Sequence, residues 1–139
     1  MFNDEPRQVR PSASITAAGV DHVRLSYHYL DSGDLDGYGS LLDEHMRVCC
    51  PGSPPGDGRA QVLRMRTAPS NPPGRHEVHK VVAEGHSVVV TGRFTPTASD
   101  PDGRAGPPAP VDFADFFTLT NEGLLLTQRR YYYLAPAWA

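Results

Sequence analysis

The nine residues Val111-Asp112-Phe113-Ala114-Asp115-Phe116-Phe117-Thr118-Leu119 alternate. Val111, Phe113, Phe117 and Leu119 recur with a period of two, the signature of a strand with one face on a core. Asp115 shares that apolar face. Asn121-Glu122-Gly123 follows as a turn, and Leu124–Tyr133 reads as the returning strand of a hairpin. Upstream, Arg75–Ala83 and His86–Thr95 form another strand pair turned at Glu84-Gly85, and the β-branched run Val88-Val89-Val90 disfavours helix. Further upstream the period becomes helical. Val20, Val23, Tyr27 and Leu30 mark a helix from about Thr16 to Leu30, with Ser14 or Thr16 as N-cap and Ser32-Gly33 as its stop. A second short helix over 35–43, a strand over 46–50 and a third helix over 58–66 complete the pattern. Helices first and strands after them predict an α+β fold, with the helices on one face of an antiparallel sheet.

Composition excludes several classes. The chain has 139 residues, one domain's worth, and 39% are hydrophobic. No apolar run approaches the roughly 18 residues of a membrane helix. Eleven of the 14 prolines cluster at 51–55, 69–73 and 96–110, between the predicted elements. Residues 1–13 read as a tail and 14–139 as a single domain. The long 96–110 connection, just before Asp115, reads as a flap near a site. Thirteen basic against 16 acidic residues leave a net charge of −3 with no basic stripe, which speaks against nucleic acid. Cys49 and Cys50 make neither a disulfide framework nor a zinc site, and no histidine spacing supports a metal. With no apolar leader in the first ten residues, the expected location is the cytoplasm.

The element order, the phrase Leu30-Asp31-Ser32-Gly33-Asp34-Leu35-Asp36 and the phrase 111–119 followed by Arg129-Arg130-Tyr131-Tyr132-Tyr133 resemble the nuclear-transport-factor-2-like superfamily. The likeness is to its SnoaL-like and ketosteroid-isomerase-like branches. It implies a cone-shaped α+β barrel, a strongly curved and mostly antiparallel sheet enclosing a cavity closed by the N-terminal helices. It also implies cofactor-independent chemistry on an apolar, polyketide-like ligand. Asp115 falls where ketosteroid isomerases carry an oxyanion-binding aspartic acid. Cys50 stands where their general-base aspartate belongs, Ser26 where their helix tyrosine does, and Leu134 where related cyclases and epoxide hydrolases carry a last-strand aspartate.

The residues themselves nominate a site. An acid on an apolar face is desolvated, which raises its pKa and suits it to act as a general acid or oxyanion donor. Asp115 is therefore the first catalytic candidate. The hairpin register turns Gln128, Arg130 and Tyr132 inward with it, and a pairing with Arg130 would lower the Asp115 pKa and make it a base. His76 and His79 lie on opposite faces of one strand, so at most one sees the cavity, and we take His79 as that one. Tyr27, Tyr38, Cys50, Phe113, Phe117, Gln128 and Tyr132 are candidate ligand contacts. Tyr131, Tyr133 and Phe116 face outward and predict a homodimer through the outer sheet face. Three functions stay open: an acid/base cyclase, isomerase or dehydratase of bacterial secondary metabolism without cofactor or metal, a non-catalytic ligand-binding or accessory protein using the same cavity, and a small interaction module whose dimer face is its only function.

Overall fold

The computed structural model describes residues 13–69, 71–97 and 109–136, the side chains of 13–15 excepted. Residues 1–12 of the expected tail and 98–108 of the expected flap lie outside the described residues, and Ala13, expected in the tail, opens the first helix. The elements are α1 (Ala13–Ser32), α2 (Leu35–Ser40), β1 (Leu42–Cys49), β2 (Gly56–Asp57), α3 (Arg59–Arg66), β3 (Gly74–Glu84), β4 (Ser87–Pro96), β5 (Val111–Leu119) and β6 (Leu125–Tyr132). The order matches the expectation, with the two-residue β2 added. α2 is shorter than expected and β1 starts earlier. The strands form one open sheet in the order β2-β1-β6-β5-β4-β3. All neighbours are antiparallel except β1 and β6, which run parallel.

α1 ends as its sequence predicts. Gly33 takes φ +73°, which costs glycine little. Its N–H donates to Leu30 O, and the Asp34 N–H donates to Tyr29 O at 2.9 Å, the two bonds of a Schellman cap. The Asp34 side chain then accepts from the Gly37 N–H and caps α2. Two helices thus meet at a fixed corner, and Asp31 is held on the last turn of α1.

The core lies between the helices and the inner sheet face. Val23 and Tyr27 of α1 and Tyr38 of α2 pack with Met46, Val48, Val90, Phe113 and Phe117 from the strands. β5 buries Phe113, Asp115, Phe117 and Leu119, as its alternation requires, and β6 buries Gln128 and Arg130 beside them.

β3 departs from simple alternation. Its register slips between Val78 and Lys80, so the inward set is His76, Val78 and Val81. Gly92 on β4 accommodates the slip: a Cβ there would lie 2.2 Å from the Glu77 carbonyl oxygen. His79 sits on the bulge and is exposed, with Nε2 3.4 Å from Glu77 Oε1. His76, not His79, is the inward histidine: it shares the inward face with Val78 before the bulge, and His79 stands on the bulge itself, turned outward.

Candidate functional site

Asp115 and Arg130 face each other directly across the β5–β6 ladder. Arg130 Nε donates to Asp115 Oδ1 at 2.9 Å and Nη2 donates to Oδ2 at 2.8 Å, a bidentate pair. Oδ2 also accepts from Tyr27 Oη at 2.6 Å and from Gln128 Nε2 at 3.1 Å. Asp115 is wholly buried. Burial alone pushes its carboxyl up, but the charge and hydrogen bonds of Arg130, with the Tyr27 hydroxyl, outweigh it and hold the carboxyl below its ordinary value. Of the two states open from the sequence, a protonated acid or a carboxylate paired with Arg130, the geometry shows the pair: desolvation is present, and pairing wins. Burial, then the neighbouring Asp115 carboxylate, keeps the Tyr27 phenol well above its usual range, so it serves as a donor.

Gln128 links this pair to a second guanidinium. Its Oε1 accepts from Arg66 Nη2 at 2.9 Å while its Nε2 serves Asp115. Arg66 also donates from Nε and Nη2 to Tyr38 Oη, at 3.1 and 2.9 Å. Arg66 lies one helical turn beyond the buried Val62 of α3, so the same helix face that buries valine aims arginine inward.

The wall is completed by a dyad joining α1 to β3. Asp31 Oδ2 accepts from the His76 backbone N–H at 2.8 Å, and Oδ1 lies 2.6 Å from His76 Nδ1. A carboxylate that accepts from both positions places the ring proton on Nδ1 and leaves the Nε2 lone pair free. His76 packs against Tyr27, Phe94 and Phe113, with centroids 4.9–5.7 Å away. Burial lowers its pKa below the ordinary value despite the opposing Asp31 bond, which favours the neutral ring at pH 7.

These groups surround a cavity of about 230 Å³. Asp31, Arg66, His76 and Arg130 form its ionisable lining, Thr67 and Asn71 add neutral polar groups, and Leu30, Leu35, Phe94 and Tyr132 are among its apolar walls. Of the expected site residues, Arg130 and Tyr132 line it directly. Tyr27, Tyr38 and Gln128 stand behind the lining, their polar groups spent on Asp115 and Arg66. Phe113 supports Arg130, whose guanidinium lies 4.3 Å from its ring centroid, and Phe117 is core beside Tyr27. Cys50 is partly buried at the edge of the core and is not among the cavity-lining residues. Ser26, at the family's helix-tyrosine position, is buried and bonds the Val23 carbonyl oxygen of its own helix. Asp31 and Arg66 are absent from the sequence-derived candidates. Asp31 lies within the phrase Leu30–Asp36 that ends the first helix, and the i, i+4 spacing of Val62 and Arg66 is the sign available for Arg66.

Helices layered on one face of an open, mostly antiparallel sheet, with an inward polar cluster between them, define the cone-shaped nuclear-transport-factor-2-like class. The chain belongs to the SnoaL-like domain family, whose model matches residues 23–127. No curated protein matches it. Among solved structures it is similar to Bal32a from a soil-derived mobile gene cassette, at 20% identity and TM-score 0.71, covering 86% of this chain and 92% of that one. It is also similar to SalBIII, described as an epoxide hydrolase/cyclase-like enzyme of pyran ring formation in salinomycin. That match has 23% identity and TM-score 0.70 over 84% and 91% of the two chains. An LEH-like epoxide hydrolase of M. tuberculosis matches at 15% identity and TM-score 0.69, over 84% of each chain. At these identities the neighbours establish the shared fold.

Proposed function

We propose that the chain is a cofactor-independent acid/base enzyme, an isomerase, dehydratase or cyclase of bacterial secondary metabolism acting in the cytoplasm. The observation that carries this reading is the 2.6 Å Asp31–His76 contact in a cavity wall shared with Arg130. Neutral His76 takes a proton through Nε2 from a carbon next to a carbonyl. The electron pair moves to the carbonyl oxygen, where the fixed charge of Arg130 stabilises it. The imidazolium, steadied by Asp31, returns the proton to another carbon or to a departing hydroxyl. Asp115 is a positioning residue here, since its four accepted bonds hold Arg130, Tyr27 and Gln128. A cavity of about 230 Å³ is smaller than the roughly 300–1,000 Å³ of common ligand sites. That supports a substrate smaller and more polar than a polycyclic polyketide.

The test is proton exchange in deuterated water. The protein is incubated with 2-pentanone, cyclohexenone and levulinate, and deuterium entry beside each carbonyl is followed by NMR. Exchange of at least one of them is expected with the wild type and not with His76→Gln. Equal rates in the two proteins remove His76 from the base role. A second reading, ligand binding without turnover, is favoured by Cys50 and Leu134 standing where relatives carry carboxylates, and it predicts binding with no exchange.

We also propose a homodimer through the outer sheet face. Phe116 and Tyr131 are about half exposed there and meet edge to face at 5.4 Å, with Tyr133 exposed nearby. Phe116→Arg should weaken dimerisation by about tenfold or more, read by light scattering across a dilution series. An unchanged mass distribution would place the interface elsewhere.

A further inference from the structure

Arg66 has no carboxylate within ion-pair distance among the described residues. Of the other charged groups there, Arg130 is paired with Asp115 at 2.8 Å, and Asp31 is hydrogen-bonded by the two N–H groups of His76. Arg66 is bound only by neutral oxygens, those of Tyr38 and Gln128. The three bonds use Nε and Nη2, which leaves Nη1 with no partner among the described residues. Since no buried side-chain nitrogen or oxygen there lacks a partner, Nη1 keeps some exposed surface, and Arg66 lines the cavity. A charged group out of water is normally paired with an opposite charge or neutralised, and a guanidinium does not neutralise.

We infer that Arg66 is the receptor for a carboxylate on the ligand, so that the substrates of this cavity are small organic acids. The substrate class rests on the proton-transfer reading of the same cavity; the anion site itself does not. Both oxygens of Asp31 are taken by N–H groups of His76, so no carboxylate of the lining is within ion-pair distance of Arg66 among the described residues, and its fork can receive one from a ligand. The planar guanidinium fork suits a carboxylate, and Gln128 and Tyr38 hold it in place from behind. Arg130 shares the lining, so a ligand anchored at Arg66 has its remaining atoms between Arg130 and His76. A phosphate dianion would need a second free cation or a cradle of backbone N–H groups, and Arg130 is already engaged.

The test compares benzoate with its neutral isostere benzamide, by calorimetry and by the Nε–Hε NMR signal of Arg66. Benzoate should bind about tenfold or more tighter than benzamide and shift the Arg66 signal. Arg66→Met should abolish that preference. Arg66→Lys, which keeps the charge if the methionine variant does not fold, should retain part of it. Benzoate binding no tighter than benzamide, no binding of either, or tighter binding of inorganic phosphate than of benzoate each overturn the assignment. The two proposals separate cleanly. Loss of deuterium exchange in His76→Gln with no benzoate preference sinks the anion site alone. A benzoate preference that disappears in Arg66→Met, in a protein that exchanges no substrate, supports the anion site and sinks the catalytic reading.

Discussion

Asp115→Asn should destabilise the protein by about 3–5 kcal/mol, the usual cost of removing one partner from a buried ion pair. Arg130 would remain buried with its charge uncompensated. The amide makes matters worse, because Oδ2 accepts from Arg130, Tyr27 and Gln128 together, and an NH₂ group there would face three donors. If the amide turns over, its NH₂ faces Arg130 Nε instead. Adding Arg130→Met removes the stranded charge and lets the asparagine oxygen serve Tyr27 and Gln128. The double variant should be about 2 kcal/mol or more stabler than Asp115→Asn alone. Denaturant midpoints measure both. A single variant within about 1 kcal/mol of wild type would mean that the pair is not the anchor its geometry suggests. The pair also sets a pH dependence. The folded-state carboxyl is below its ordinary value, so the unfolded chain binds the proton more readily. The stabilisation is complete above about pH 4–5 and is lost as the pH falls through the folded-state value.

His76→Gln should lower kcat/KM by about 10²–10⁴ on any substrate the protein turns over, the range expected for losing a positioned general base. Glutamine keeps a donor for Asp31 and much of the ring's volume, so folding should be largely retained. Asp31→Asn should approach the same loss, because nothing then fixes the ring proton on Nδ1. The pH profile distinguishes a base from a structural histidine. Burial lowers the His76 pKa, so wild-type activity should hold through pH 6.5 and decline only at lower pH. Stability shares the sign: the unfolded histidine binds its proton near pH 6.5 and the folded one only lower, so the stability His76 contributes falls as pH drops below that point. Activity that declines already above pH 7 on the acid side would contradict the buried neutral ring.

The legible part of this site was what local repetition controls. Period-two alternation placed Asp115 inward, and hairpin register placed Gln128, Arg130 and Tyr132 beside it. The glycine at 33 announced the helix stop, because a left-handed residue was needed there. The bulge at His79 left no such mark: one extra residue reverses the facing of everything after it, and its cause is the room left at Gly92 on the next strand. The protonation state of Asp115 was a contest between desolvation and pairing, and only distances decide that. Asp31 and His76 are 45 positions apart, and Arg66 reaches Gln128 across 62, so their meeting is a property of topology and not of spacing.

The place of β6 in the sheet has a consequence for how the chain reaches this state. β6 is last of the strands in sequence, yet it lies between β1 and β5 and joins them into one sheet. On the ribosome, every earlier strand emerges before the one that unites them. Until it arrives, β1 and β5 each present an unpaired edge, and Asp115 has no counter-ion. Long-range closure of this kind slows folding, on the order of milliseconds to seconds for sheet-dominated domains. The carboxylate that cannot be buried alone then acts as a checkpoint: collapse without β6 is penalised, and the core closes only when Arg130 comes with it.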